Sequence, residues 1–462
     1  MKHIIFLFLG LCLPLMGVAS KGVQGTTEPS SNAVIVCENS MEMLRWNLEF
    51  ITQAKHSIEL SLCFTGGTVF RDILAAVEKR FIACPHLQAH FLIAPVLLEQ
   101  RERDLIQYFE EKYPENFHLQ FTDSLFEPLP EYNAIDNHLK CIIVDEHYYS
   151  VGGTNFDENL CIEGTTQPTR RPGEGIARNT LPGGMRDQDV VAKGPIAKEL
   201  RVVFYKNYAL WEHFFTTGYF EKDPECFKDD NRYFSIPDEK PFLKSFETSK
   251  ALIQTPKIKL FFSGPWQSSN TITQEYVRLI RSAKSSIDIG NLYVCPPCCI
   301  MDSFKDAVSR KVQLSYITNG VWEKCPTFAN FIGWSNRVNY VPLFYGKDYR
   351  LWDYFSAAND PLCNTRVYEY RVGDVMYHKK VMVVDKEISV IGTYNLGTRS
   401  DAGDYEIVLV IESPAVARDI LKVLERDKTF CEEITPARAR GWYFNPVTSY
   451  VGAFEETFHG FL

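Results

Sequence analysis

Two stretches decide the reading of this chain: His138-Leu-Lys140-Cys-Ile-Ile-Val-Asp145 and, 240 residues on, His378-Lys-Lys380-Val-Met-Val-Val-Asp385. Each continues in step, with Gly152 and Asn155 after the first and Gly392 and Asn395 after the second. The shared pattern is H-x-K-x4-D-x6-G-x2-N. At ordinary residue frequencies a chance match at a given start is on the order of one in a million, so two in one chain are not accidental. Upstream of each lies another matched pair, Ile51-Thr-Gln-Ala-Lys-His-Ser-Ile-Glu-Leu60 and Ile280-Arg-Ser-Ala-Lys-Ser-Ser-Ile-Asp-Ile289. The two offsets are nearly equal and far too long for a solenoid repeat. The chain is read as one unit duplicated.

Each copy alternates segments of helical and strand character. The first predicts a helix over Met41–Gln53, a strand over Ser57–Cys63, a helix over Val69–Lys79 and a strand over Gln88–Ile93. The second repeats the order at Gln274–Ala283, Ser286–Val294, Met301–Ser309 and Val312–Ile317. Helices close the copies at Ile196–Trp211 and Val416–Arg426. Such alternation predicts an α/β layered fold with a mostly parallel or mixed sheet. The domain reading is a signal peptide over 1–20, a first repeat over 21–216, a linker over 217–250 and a second repeat over 251–462.

The motif spacing carries chemistry. The runs after Lys140 and Lys380 read as buried strands, and residues two apart in a strand face the same side. His138 therefore projects with Lys140, and His378 with Lys380. Asp145 and Asp385 stand an odd number of positions from their histidines, which assigns them to structure. Gly152 and Gly392 are expected to leave room for backbone near a ligand, and Asn155 and Asn395 to donate amide hydrogens to phosphate oxygens. Two copies facing each other would join two imidazoles, two ammoniums and two amides. That set suits a phosphodiester: the cations balance the anion and its transition state, one neutral imidazole attacks phosphorus, and the other, protonated, serves the leaving alcohol. Water or a second alcohol then reverses the step. No carboxylate cluster for a metal is visible, and neither metal nor cofactor is expected. One chain with two motifs makes a full site, so a monomer suffices.

Composition narrows the partners. A net charge of −9 weighs against a protein that coats nucleic acid. Lys2, the apolar run Ile4 to Met16 and the small residues Gly17-Val-Ala-Ser20 form the three-part pattern of a signal peptide, which predicts an exported protein, periplasmic or secreted. The cluster Cys295-Pro-Pro-Cys-Cys299 lacks the second cluster that a zinc site would want, and leaves burial or a redox role open.

At these residues the sequence resembles the phospholipase D superfamily, over nearly all of the chain after the signal peptide. The flanks look most like its bacterial cardiolipin synthase and phosphatidyltransferase branch: Val151-Gly-Gly-Thr-Asn155 with Met185-Arg-Asp-Gln-Asp189, then Ser263-Gly-Pro265, Tyr293, and Asn395-x3-Arg399-Ser400 with Glu406. The resemblance implies two tandem α/β sandwich repeats packed about a pseudo-twofold axis with one shared active site. It implies an acidic residue downstream of each motif that orients the catalytic histidine; Glu406 matches that position, and Asp189 is assigned as its counterpart in the first copy. It implies His138 as nucleophile and His378 as acid and base. Arg186 and Arg399 are further assigned to substrate binding, Arg186 at the end of an insertion, Gly164–Arg186, that also carries Arg170, Arg171 and Arg178.

Two departures bear on function. The Ser common after the motif Gly is Gly153 in one copy and Thr393 in the other. The paired membrane helices of many cardiolipin synthases are replaced by the signal-peptide pattern. These features favour an exported enzyme that cleaves or transfers phospholipid phosphodiesters at a membrane surface, with water or an alcohol as acceptor. The alternatives are a cardiolipin synthase-type phosphatidyltransferase, a metal-independent nuclease of the same superfamily, and a binding protein that has kept its motifs.

Overall fold

The computed structural model describes residues 32–122, 136–162, 183–218, 234–237, 241–255, 257–264, 269–321, 327–348, 360–446, 448 and 450. The signal-peptide pattern and Arg170, Arg171 and Arg178 lie outside these residues.

In the first half the strands are β1 (Asn32–Cys37), β2 (Ser57–Leu62), β3 (Gln88–Ile93), β4 (Phe117–Phe121), β5 (Cys141–Val144), β6 (Tyr148–Gly152), β7 (Gly184–Arg186), β8 (Asp189–Lys193) and β9 (Ile253–Thr255). In the second they are β10 (Lys257–Ser263), β11 (Ser286–Asn291), β12 (Gln313–Asn319), β13 (Thr365–Tyr370), β14 (Val375–Tyr377), β15 (Lys380–Val384), β16 (Ile388–Gly392), β17 (Glu406–Glu412) and β18 (Cys431–Ile434).

The first sheet runs β4-β3-β2-β5-β6-β8-β1-β9, and the second, reversed, runs β18-β13-β12-β11-β15-β16-β17-β10. Seven strands of each occur in the same order, and the directions match: β2, β3 and β4 are parallel, as are β11, β12 and β13, and the next neighbours are antiparallel. The duplication is thus one of topology as well as of motif. One strand crosses the division: β9 follows the linker, yet pairs with β1 and completes the first sheet. The central strands are buried on both faces, which is why β5 and β15 read as unbroken apolar runs.

The helices form where the periodicity places them. Ser40–Gln53 is capped by the Asn39 side chain and Thr271–Ser282 by that of Asn270, each satisfying an otherwise unpaired first-turn N–H. Both end at a buried alanine, Ala54 and Ala283. The matched stretches of sequence are bonded to one another here. The Asp145 carboxylate accepts from the backbone N–H groups of Lys55, His56 and Ser57 at 2.7–2.8 Å. Asp385 does the same for Lys284, Ser285 and Ser286 at 2.7–3.1 Å. Each motif aspartate therefore ties the start of β2 or β11 to the turn after β5 or β15, as expected of a structural residue.

Burial alone would raise the Asp385 pKa, but the backbone donors of Ser285, Lys284 and Ser286 outweigh it and hold it below its ordinary value. A depressed folded-state pKa contributes stability above the unfolded value of about 3.9, and loses it as pH falls through the folded value. Asp385→Ala is expected to lower stability by about 1–3 kcal/mol at neutral pH, with the difference from the parent shrinking below about pH 4. Denaturant melts at pH 7 and pH 3 check both parts.

Three cores result. One packs the outer helices of the first half on its sheet, a second does so for the second half, and a third draws on both sheets with helices Ile196–Thr217 and Pro414–Lys428. This shared core holds the repeats face to face. Among the described residues no helix is long and apolar enough to cross a membrane.

Candidate active site

The two motifs meet across the shared core, joined by two equivalent seams. In one, β14 pairs in parallel with β7, setting Tyr377 beside Arg186, and the His378 N–H donates to the Arg186 carbonyl at 3.0 Å. In the other, Asn137 is bridged to Tyr405, whose N–H donates to the Asp136 carbonyl at 3.0 Å. Each seam places the histidine of one repeat opposite a carboxylate of the other.

The carboxylate–histidine pairs are crossed. His138 Nδ1 lies 2.9 and 3.0 Å from the Glu406 oxygens. His378 Nδ1 lies 3.0 and 3.1 Å from those of Asp187. A carboxylate on Nδ1 fixes the tautomer and leaves Nε2 as the working nitrogen. Both histidines are buried, as are Lys140 and Lys380. The Lys140 Nζ donates to the His138 carbonyl at 3.0 Å, and the Lys380 Nζ to that of His378 at 2.6 Å. Each lysine keeps further donor hydrogens for a ligand.

Glu406 therefore serves the histidine of the opposite repeat. Asp189, the residue assigned above as its counterpart, is not that counterpart: it accepts from the Thr154 N–H at 3.1 Å and hydroxyl at 2.6 Å. Sheet register gives the reason. Gly152 pairs with Asp189 where Gly392 pairs with Val408. Two residues back from Val408 is Glu406, and two back from Asp189 is Asp187.

The pairs differ in their surroundings. Glu406 also accepts from the Thr393 hydroxyl and from that of Ser400 at 2.5 Å. Asp187 has His378 as its hydrogen-bond donor, and Gly153, the equivalent of Thr393, offers no hydroxyl. A Cβ at Gly153 would lie 2.4 Å from an Asp187 oxygen, so the missing side chain makes room for that carboxylate.

Electrostatics follow from burial beside like charges. Burial, with the charges of Lys140 and Lys380, holds the His138 imidazole well below its ordinary pKa. Burial lowers His378 to about 4, against the pull of Asp187. Burial and the Lys140 charge bring Lys380 down to about 7, although Asp187 opposes them. At neutral pH the free site holds neutral imidazoles beside the lysine donors.

A family model described as "Cardiolipin synthase, PLD-like domain" matches residues 276–428. The chain thus resembles the phospholipase D superfamily. Cardiolipin synthase 1 of Staphylococcus epidermidis is 24% identical over 292 residues, covering 63% of this chain and 47% of that protein. Cardiolipin synthase 2 of Bacillus cereus is 21% identical over 406 residues, covering 86% and 64%. The chain thus matches between about half and just under two thirds of the length of these curated relatives. The crystal structure of phosphatidylserine synthase from Haemophilus influenzae shares the fold at a TM-score of 0.59 and 14% identity, covering 92% of this chain and 94% of that one.

The other predicted residues of this phospholipase D-type centre fall into distinct places. Asn155 accepts from the Phe64 N–H at 3.4 Å and turns its amide nitrogen to the Met185 sulfur at 3.3 Å. Asn395 is tied through its backbone N–H to the Ser400 hydroxyl, and its side-chain oxygen is buried with no hydrogen-bond partner. Arg399 stays at the centre, held between Asp404 at 2.9 Å and Asp136 at 3.3 Å. Arg186 does not face substrate. Its guanidinium is fully buried and bonded to Asp427 at 2.9 and 3.1 Å and to the Glu38 carbonyl, which uses its charge within the protein.

The motif glycines serve the fold rather than a ligand. A Cβ on Gly152 would lie 1.9 Å from an Asp189 oxygen, and one on Gly392 would lie 2.2 Å from the Ile407 carbonyl. The space expected for a ligand is filled by the neighbouring strand. Gly392→Ala is expected to cost at least about 1–3 kcal/mol, measured by denaturant unfolding; an unchanged midpoint would contradict this packing.

His138, Asp404 and Glu406 bring potential metal-ligand atoms within 4.8 Å of one another. Each is already committed: Glu406 to His138, Thr393 and Ser400, and Asp404 to Arg399. An ion there would displace these bonds and lie close to the Lys140 and Arg399 cations that act on the same groups, so the donor set does not fit a resident metal. Cys295 lies 3.0 Å from the Ser335 hydroxyl, and Cys298 and Cys299 are exposed.

Sequence reasoning missed Asp187, Asp136, Asp404 and the Thr393 and Ser400 hydroxyls on Glu406. A signal for Asp187 existed in the two-residue step back from the partner of the motif glycine, but reading it requires the strand pairing.

Proposed function

We propose that the chain is a phosphatidyltransferase working through a phosphohistidine, passing the phosphatidyl group of a phospholipid to an alcohol, with water as a slower acceptor. The observation that carries this reading is the pair of crossed histidine–carboxylate contacts with two buried lysines at one interface. The similarity to cardiolipin synthases supports a lipid substrate and favours transfer over hydrolysis. The signal-peptide pattern supports export, and the acidic net charge weighs against the nuclease alternative.

His138 is assigned as the nucleophile. Burial and the Lys140 and Lys380 charges keep the His138 imidazole neutral, with the Nε2 lone pair free. Asp187 spends its charge on His378, and a bound phosphodiester adds a second anion beside it. Both raise the His378 pKa toward the imidazolium needed by a general acid. In the first step the His138 Nε2 forms a bond to phosphorus, the bond from phosphorus to the leaving alcohol oxygen breaks, and His378 gives that oxygen its proton. In the second, His378 takes the proton of the acceptor hydroxyl, whose oxygen bonds to phosphorus as the bond to His138 breaks. Lys140 and Lys380 hold the non-bridging oxygens throughout.

The test is incubation of the full chain with phosphatidylglycerol vesicles in EDTA with added ethanol, and His138→Ala as control. Phosphatidylethanol in the parent and none in the control is expected. Activity that vanishes in EDTA and returns with one divalent ion would overturn the mechanism. Absence of transfer from any phospholipid, with nucleic acid degraded instead, would overturn the lipid reading.

A further inference from the structure

The residues on either side of the Asp187–His378 contact converge on one buried carboxylate that lies outside both motifs. Asp427, near the end of helix Pro414–Lys428, is fully buried. One of its oxygens accepts from the Arg186 Nε at 3.1 Å and from an Arg186 terminal nitrogen at 2.9 Å. Its other oxygen is ion-paired with the Lys379 Nζ at 2.5 Å. Lys379 also donates to Gln188 at 3.3 Å. Arg186 and Gln188 flank Asp187, and Lys379 follows His378. Both cations are themselves fully buried.

This arrangement is found at one of the two histidines. The residue after His138 is Leu139, which packs in the shared apolar core, and the residue before Glu406 is Tyr405, in the same core. The fold alone therefore does not require the ionic cluster. Burying two cations and a carboxylate costs several kcal/mol per ion before their attraction is counted, and removing one partner leaves the others exposed to that cost. Such a cluster defines geometry better than apolar packing does, because its ion pairs are directional and short-ranged.

We infer that Asp427 is a positioning residue: through Arg186 and Lys379 it sets the distance and angle between Asp187 and His378, and so governs proton delivery to the leaving group. The inference rests on the proposed role of His378 as general acid. The parts of the reaction it predicts to be sensitive are those that need the proton. Attack by His138 is not among them.

The experiment compares first-turnover release from two phosphodiesters of the same diacylglycerol, one with an alkyl leaving group and one with a nitrophenyl group that departs without protonation. The full chain is used. Asp427→Asn is expected to slow alkyl release about 30-fold or more and nitrophenyl release less than about threefold. Lys379→Met, which leaves the Arg186–Asp427 pair in place, is expected to show the same split at about tenfold, and serves if Asp427→Asn fails to fold. Leu424→Ala, a cavity on the same helix, should change both rates equally. Loss of both rates in equal measure in the Asp427 and Lys379 variants, or the same split in Leu424→Ala, would overturn the inference. His378→Ala separates the two claims: if it shows no split, the general-acid assignment fails; if it shows one and Asp427→Asn does not, the positioning role alone fails.

Discussion

Alanine at His138 is expected to lower formation of the phosphoenzyme, and with it all turnover, by about 10^5-fold or more. The imidazole supplies the bond to phosphorus, and His378, the other buried imidazole of the centre, is assigned to the proton of the leaving group. His378→Ala leaves the nucleophile and is expected to cost about 10^2–10^4-fold with an alkyl leaving group. Because the two histidines act in one reaction, the double variant should be little worse than His138→Ala alone. Steady-state transfer to ethanol measures all three. If either single variant keeps about half the parent activity, the repeats are independent half-sites and the shared centre is wrong.

Asp187→Asn is expected to lower the rate by about 10^2–10^4-fold, with Asp189→Asn within about threefold of the parent. An amide in place of the Asp187 carboxylate can hold the wrong tautomer of His378 and offers no charge to stabilise its imidazolium. Asp189 bonds Thr154, and burial, with the neighbouring Asp187, raises its pKa to about 7. An uncharged isostere there keeps most of what the residue provides. The reverse ranking would restore Asp189 as the partner of the histidine. Substrate titrations of both variants distinguish a fall in kcat from weaker binding.

The duplicated topology was legible because it rests on local signals. The helix and strand periodicities of Ser40–Leu62 and Thr271–Asn291 recur with the same capping and the same buried alanine. The grouping of His138 with Lys140, and of His378 with Lys380, was legible from the two-residue spacing, although both histidines precede strands β5 and β15. Asp145 and Asp385 were assigned to structure by their odd spacing; their partners, the backbone amides of Lys55 to Ser57 and Lys284 to Ser286, were not foreseen. What sequence did not show is what depends on pairing across the sheets. Asp187 and Asp189 are two residues apart and chemically alike; the register of β8 against β6 separates them, and the insertion between motif and carboxylate hides the count. The crossing of Glu406 to His138 depends on packing between repeats. Arg186 looks like a substrate ligand in sequence because it ends an arginine-bearing insertion, and it is a structural cation because Asp427, 241 positions away, is buried beside it. The motif glycines read as ligand clearance until Asp189 and the Ile407 carbonyl are seen in that space.

The measurement that tests the central claim most directly is the mass of the enzyme trapped in mid-reaction. His378→Ala, which lacks the base for the second step, is mixed with a nitrophenyl phosphatidyl ester, quenched, and mapped by peptide mass spectrometry. One phosphatidyl group per chain, on the His138 peptide and removed by acid, is the predicted result. An adduct elsewhere in the chain, or transfer to ethanol by the parent enzyme with no adduct in the trapping variant, would contradict a single shared site with His138 as its nucleophile.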